Sequence, residues 1–225
     1  MEATFINNLS GQNQMIYPFA RILYIGLPVR TFIRKVHGSA NIPKPPFIFA
    51  SNHASYLDDI VVPYFTTSFT NTKFHIFVNS RFYSNLALRV FLNHFECIKV
   101  DVGKDVSDEE QRKKTNEAAF QSALGYLRNG EIVGIFPEGG RSPDGRLRRG
   151  KTGAARLAFA SGMPVVPIGI KGSYEILPKG AFLPRLRRGE VSFGKPIHFK
   201  KRQADEIEIR KATDGIMEKI AELIK

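Results

Sequence analysis

The sequence predicts an α/β fold: one domain with a mostly parallel or mixed sheet flanked by helices, and an apolar helical segment ahead of it. Three observations predict this. Short apolar runs alternate along the chain with longer stretches of helical periodicity, the pattern of a sheet covered on both faces. Hydrophobic residues make up 43% and aromatic residues 11% of the 225 residues, enough for a full core, which excludes a disordered chain. No internal repeat, low-complexity tract or linker divides the chain.

The elements follow in order. Residues 1–14 are polar and read as a loose start. Residues 15–33 are nearly all apolar but contain Pro18, Arg21, Pro28 and Arg30. A membrane-spanning helix needs about 20 apolar residues with few charges, so broken helical pieces are expected instead. Their excess apolar surface either docks on a membrane or packs on the domain. Residues 1–40 are therefore set apart as an apolar, membrane-docking N-terminal segment, and residues 41–225 as the domain proper. After the turn at Pro43, Pro45 and Pro46, residues 47–50 form a short buried strand ending at Ser51-Asn52-His53. A helical run follows, closed by Pro63. Residues 73–78 are a second strand, 85–92 a helix and 97–102 a third strand. Ser107-Asp108-Glu109-Glu110 is a capping box opening a long helix that Gly130 stops. Residues 131–136 form a buried strand, 150–161 a helix ending at Gly162, and 165–171 another buried strand. Short strands at 190–193 and 197–199 precede a charged, periodic helix over 204–224.

The net charge is +12, and all of it falls in one segment. Residues 141–202 hold 15 Lys and Arg against three acids, a surplus equal to the whole net charge. That segment should face an anionic partner: a phosphate, an anionic membrane surface, an acidic carrier protein or nucleic acid. The single cysteine, Cys97, excludes an internal disulfide and suits a reducing compartment. No basic region followed by a small-residue cleavage site opens the chain, so no signal peptide is expected.

In open α/β sheets ligands collect at the carboxyl ends of strands, and two polar clusters sit there. The first is Asn52-His53-Ala54-Ser55-Tyr56-Leu57-Asp58. A histidine between strand and helix is held rigidly, and a carboxylate five residues on can fold back to its ring. It would fix the tautomer and stabilise the imidazolium, making His53 a general base near neutral pH. The plainer reading is a helix cap with a solvated first-turn acid. The second cluster is Phe136-Pro137-Glu138-Gly139-Gly140-Arg141-Ser142. The glycines let backbone approach a ligand, and Arg141 offers a fork that fits phosphate. A surface turn would use the same residues.

Other chemistries find no motif. There is no Gly-x-Ser-x-Gly elbow, no phosphate-binding P-loop and no Gly-x-Gly-x-x-Gly after a strand. His37, His75, His94 and His198 lack metal-ligand spacing, and Cys97 reads as core. The rival class is a basic nucleic-acid-binding protein. No stacking platform or nucleic-acid motif accompanies the basic residues, so nucleic acid is not expected as a partner.

The His53-x4-Asp58 block and the Phe136–Ser142 block, about 80 residues apart in this order, together resemble the glycerolipid acyltransferase superfamily. The branch most similar is that of the lysophosphatidic acid acyltransferases (1-acylglycerol-3-phosphate O-acyltransferases). The likeness runs from Phe47 to Pro196 and includes the stretch from Lys151 to Pro167. It implies transfer of a fatty acyl group from acyl-CoA or acyl carrier protein to the hydroxyl of lysophosphatidic acid, in phospholipid biosynthesis. It further implies that His53 is the general base, that Asp58 orients and charges it, and that no covalent acyl-enzyme forms. Glu138, Gly139, Gly140, Arg141 and Ser142 would bind the acceptor's phosphate. Lys151, with Arg146, Arg148 and Arg149, would meet the donor's phosphates or an acidic carrier. No cofactor beyond the acyl-thioester co-substrate and no metal are implied. A peripheral or monotopic place on the cytoplasmic face of a membrane is expected, with Arg185, Arg187 and Arg188 toward anionic lipid. Two positions depart from the family pattern. Val102 stands where an arginine often falls, with Lys99 or Lys104 nearby, and Gly140 replaces a common threonine. Another lysolipid or a lyso-aminolipid is therefore the alternative acceptor.

Overall fold

The computed structural model describes residues 26–103 and 105–225. The expectations for residues 1–25 and for Lys104 lie outside the described residues. Among the described residues seven strands form one sheet: β1 (Ile33–His37), β2 (Ile48–Ser51), β3 (Phe74–Asn79), β4 (Ile98–Val100), β5 (Ile132–Ile135), β6 (Val165–Lys171) and β7 (Gly189–Phe193). Their spatial order is β1-β7-β6-β2-β5-β3-β4. From β6 to β4 every pair is parallel; β7 runs antiparallel to β6 and parallel to β1. The sheet is thus mixed, with β2 near its middle.

Each element follows from its residues. The central strands are apolar on both sides because both faces are covered. In β2, Phe49 packs into the core shared with α1 (Leu27–Phe32) and α2 (Asp58–Thr70). Its neighbours Ile48 and Ala50 face α4 (Glu109–Arg128), α5 (Gly153–Ser161) and α7 (Glu206–Leu223). Phe47, Ile48 and Phe49 are essentially unexposed, each contributing about 1.5–3 kcal/mol of apolar burial. Phe49 lies flat across β5, so a Cβ at Gly134 would come within 1.9 Å of its ring. Only glycine lets that ring cross the strand.

Several boundaries differ from expectation for identifiable reasons. Pro63 lies inside α2 rather than closing it. It falls in the second turn, where Val61, Val62, Tyr64 and Phe65 around it are all buried, and this packing overrides the lost amide. The helix stops instead at Asn71, in the left-handed conformation at φ 52°. The cap of α4 is Asp108, whose carboxylate accepts from the Gln111 amide, rather than Ser107. The full capping box sits at Asp205 and Glu208, opening α7. Residues 33–37 form an edge strand, β1, and the residue-40 boundary falls after it. Val29 and Ile33 belong to the core. The stretch 197–199 makes a single bridge, Ile197 to Val165, in place of a strand. Short α3 (Leu86–His94) and α6 (Ser173–Ile176) complete the set. Among the described residues no helix is long and apolar enough to cross a membrane.

Candidate active site

The parallel strands β2, β5 and β6 end at the same edge of the sheet, so the segments leaving them meet. Asn52, the first residue beyond β2, is buried and bonded reciprocally to β6. Its Nδ2 donates to the Ile170 carbonyl at 2.9 Å, and the Ile170 amide donates to its Oδ1 at 2.7 Å. The side chain thereby continues the strand pairing by one step and fixes where the chain turns off.

His53 sits on that turn. Its Nδ1 lies 3.2 Å from Asp58 Oδ2, and the same oxygen accepts from the Ala54 and Ser55 amides at 2.7 Å each. Asp58 has no solvent exposure. A carboxylate only accepts, so Nδ1 carries the proton and Nε2 is left as the basic nitrogen. The ring stacks on Phe136 at 4.2 Å, which fixes its plane. Asp59, the next residue along, brings Oδ1 to 3.8 Å from Nε2, with its side chain 35% exposed.

The second cluster grips the first through its backbone. The His53 amide donates to Glu138 Oε1 at 2.8 Å, and the Ser142 amide donates to the His53 carbonyl at 2.7 Å. The other oxygen of Glu138 accepts from the Arg148 amide at 3.0 Å. Glu138 is 3% exposed, and both of its oxygens are occupied by amides of this chain. Ser142 is also buried, with its hydroxyl donating to Asp144 at 2.9 Å.

Two cations stand over this frame. The Arg141 guanidinium lies 3.4 Å above the centre of the Tyr56 ring, a cation–π contact that holds it on the first cluster. The Lys151 side chain lies across Gly139, where a Cβ would fall 2.6 Å from Cε and 2.7 Å from Nζ. Gly139, at φ +66°, also adopts a conformation that suits glycine. A Cβ at Gly140 would meet nothing within 4 Å among the described residues.

The electrostatics follow from this placement. Burial alone would lower the His53 pKa. The hydrogen bond to Asp58 and the negative charges of Asp59, Asp58 and Glu138 outweigh it, so the imidazole is raised above its ordinary 6.5. Asp59 is pushed up to about 6 by desolvation, with a smaller push from Asp58, against the pull of His53 and Arg141. Burial also raises Glu138, against the amides of His53 and Arg148 and the charges of those residues. The Cys97 thiol is pushed up to about 12 by burial, with a smaller push from Asp59, and is not a thiolate at neutral pH. Among the described residues no group of three or more His, Cys, Asp or Glu side chains has a metal-holding arrangement.

His53, Asp58, Glu138, Gly139, Gly140, Arg141, Ser142 and Lys151 are therefore gathered at one edge of the sheet. Asn52, Tyr56 and Phe136, which lie in the two motifs with no role assigned from sequence, stand with them, as does Asp59. Asp59 and Tyr56 lie within or beside the first motif, but spacing alone says nothing of Nε2 or of a cation on a ring.

Comparison with known proteins agrees with this constellation. Residues 33–171 match the family model described as Acyltransferase. The chain is 29% identical over 190 residues to the chloroplastic 1-acyl-sn-glycerol-3-phosphate acyltransferase of Arabidopsis thaliana, covering 83% of this chain and 46% of that protein. It is 26% identical over 171 residues to the 1-acyl-sn-glycerol-3-phosphate acyltransferase of Bacillus subtilis, covering 73% of each. This chain thus spans less than half the length of the plant relative. The crystal structure of the 1-acyl-sn-glycerophosphate acyltransferase PlsC of Thermotoga maritima shares the fold. Its TM-score is 0.65 at 23% identity, over 97% of this chain and 88% of that one. With the family model spanning well over half of its residues and both motifs folded into one site, the chain belongs to the acyltransferase family.

Proposed function

We propose that the chain transfers a fatty acyl group from an acyl thioester to the free hydroxyl of 1-acyl-sn-glycerol 3-phosphate. The observation that carries this reading is the His53 ring, tied at Nδ1 to buried Asp58 and clamped through its backbone by the second motif. Nε2 takes the proton of the acceptor hydroxyl as its oxygen attacks the thioester carbonyl. Asp58 stabilises the imidazolium that forms. The tetrahedral intermediate collapses with cleavage of the carbon–sulfur bond, and the imidazolium returns the proton to the departing thiolate. The acyl group ends as an ester on the acceptor, with no covalent enzyme intermediate.

In this reading Arg141 and Lys151 take the acceptor's phosphate, with the open backbone at Gly140 between them. Glu138 and Ser142 serve by holding that loop against His53. The donor is acyl-CoA or acyl carrier protein, used as a co-substrate with no further cofactor. A second reading keeps the chemistry and changes the acceptor to another lysolipid or a lyso-aminolipid. Val102, where a cationic fork would add phosphate affinity, is the observation in its favour.

The test is a transfer assay with palmitoyl- and oleoyl-CoA and the matching carrier-protein thioesters, against a panel of lysolipids, with His53→Ala alongside. Acylation of lysophosphatidic acid that disappears in the variant is the expected result. Acylation of a different lysolipid alone would replace the first reading with the second. Transfer that survives His53→Ala would refute the mechanism.

A further inference from the structure

We propose that residues 177–188, between α6 and β7, form an insertion loop that seats the active-site edge of the sheet on an anionic lipid bilayer. Three large apolar side chains at its tip stand almost wholly in water: Phe182 is 98% exposed, Leu183 80% and Leu186 94%. Isolated exposed leucines are ordinary, but three within five residues form a patch that asks for a partner. Cations bracket the tip. Lys179 precedes it, Arg185, Arg187 and Arg188 interleave and follow it, and no acid lies between Glu175 and Glu190. An apolar centre ringed by cations matches a bilayer surface, where the tip enters the acyl boundary and the cations meet lipid phosphates. An acidic protein would answer the cations and leave the phenylalanine and leucines unmatched, so the bilayer is the occupant assigned.

The loop is built rather than slack. The Ala181 amide donates to the Pro178 carbonyl at 3.0 Å, and the Arg185 amide to the Ile176 carbonyl at 2.7 Å. Its base is tied to the catalytic turn, because Ser55 Oγ donates to the Leu177 carbonyl at 2.8 Å. The loop also follows β6, whose carboxyl end is the edge that carries His53. On the other side of β2 in the sheet, Leu86, Val90 and Phe91 of α3 add exposed apolar surface. That helix follows Phe82, whose ring packs on Tyr56 at 6.4 Å. Insertion at 177–188 would therefore present the base to lipid-borne hydroxyls rather than to bulk water.

The chain has no tryptophan, which supplies a clean reporter. Phe182→Trp in the full chain places a single indole at the tip. On titration with phosphatidylcholine–phosphatidylglycerol vesicles, its emission should shift to the blue and be quenched by brominated acyl chains. Pure phosphatidylcholine vesicles should give a much smaller response. Triple replacement Phe182→Ser, Leu183→Ser, Leu186→Ser, on a surface the core does not use, should leave the melting temperature unchanged and cut vesicle partitioning about tenfold or more. Each of Arg185→Ala, Arg187→Ala and Arg188→Ala should weaken partitioning to the anionic vesicles about fivefold. Vesicle binding without an indole shift would overturn the proposal, since another part of the chain would then hold the membrane. An arginine effect on equilibrium binding of acyl carrier protein, absent on vesicles, would overturn it in favour of an acidic protein. These measurements need no turnover, so their failure is distinct from failure of the proposed reaction.

Discussion

The molecule contains two buried histidines held by carboxylates, and they do opposite things. His75, in β3, is 1% exposed and has both ring nitrogens engaged. Nδ1 meets the Glu96 carbonyl at 3.1 Å, Nε2 meets Glu131 at 3.0 Å, and the ring lies flat on Tyr126 at 3.5 Å. His53 has one nitrogen engaged, by Asp58, while among the described residues its other nitrogen meets only Asp59 at 3.8 Å, beyond hydrogen-bond length. Pairing with a carboxylate is therefore no mark of chemistry by itself. What distinguishes His53 is a basic nitrogen left over, at an edge of the sheet where loops meet, against a histidine consumed by the packing of β3, β5 and α4.

The largest test of that contrast is a pair of substitutions. His53→Ala should lower turnover by about 10²–10⁴-fold with little change in melting temperature. His75→Ala should leave turnover nearly intact and cost about 2–3 kcal/mol of stability, through a cavity under Tyr126 and unpaired polar groups. If both variants lost activity and kept their stability, the contrast would collapse. Asp58→Asn comes next: the amide cannot stabilise the imidazolium, and kcat should fall by about 10²-fold or more. Glu138→Gln places an NH2 against one of two donor amides. A loss of about 1–3 kcal/mol, together with a fall in kcat, would identify it as the support of His53. Unchanged stability and kcat would remove it from that role. Arg141→Ala should raise the acceptor's KM about tenfold and leave kcat close to wild type.

The smallest effect concerns pH. His53 is active when neutral, and its pKa is raised, so kcat/KM should climb with pH along a limb centred above 6.5. Asp59→Asn removes one of the negative charges that favour the imidazolium, so this limb should move to lower pH. No movement would mean that Asp59 faces solvent rather than the base.

The sequence made much of this legible, for reasons that can be located. The central strands were readable because each is a short apolar run buried on both sides. His53 and Asp58 were readable because a carboxylate bond within one turn leaves its mark in spacing. β1 was not, because Arg34 and Lys35 on an exposed edge interrupt the apolar pattern that continues from residue 15. Pro63 misled because a rule about isolated helices met a helix whose middle, from Val61 to Thr67, is buried. The role of Glu138 was hidden for a different reason. Its partners are the amides of His53 and Arg148, and a backbone amide belongs to every residue, so no pattern of side chains announces it. The basic excess was visible, but not that four of its cations surround an unpaired apolar tip.

The clamp on His53 also bears on how the site is assembled. Glu138 is 85 residues from His53 in sequence, and Asn52 reaches Ile170 across 118 residues. Contacts of such sequence separation cost more loop-closure entropy than the local His53–Asp58 pair. The segment that follows β2 carries His53, Asp58 and the bonds between them, but the bonds that tie this turn to Glu138 and to β6 come from distant parts of the chain. The geometry of the site therefore joins a local pair to contacts of long sequence separation. The position of His53 is thus set jointly by β2, β5 and β6, through bonds that span much of the chain.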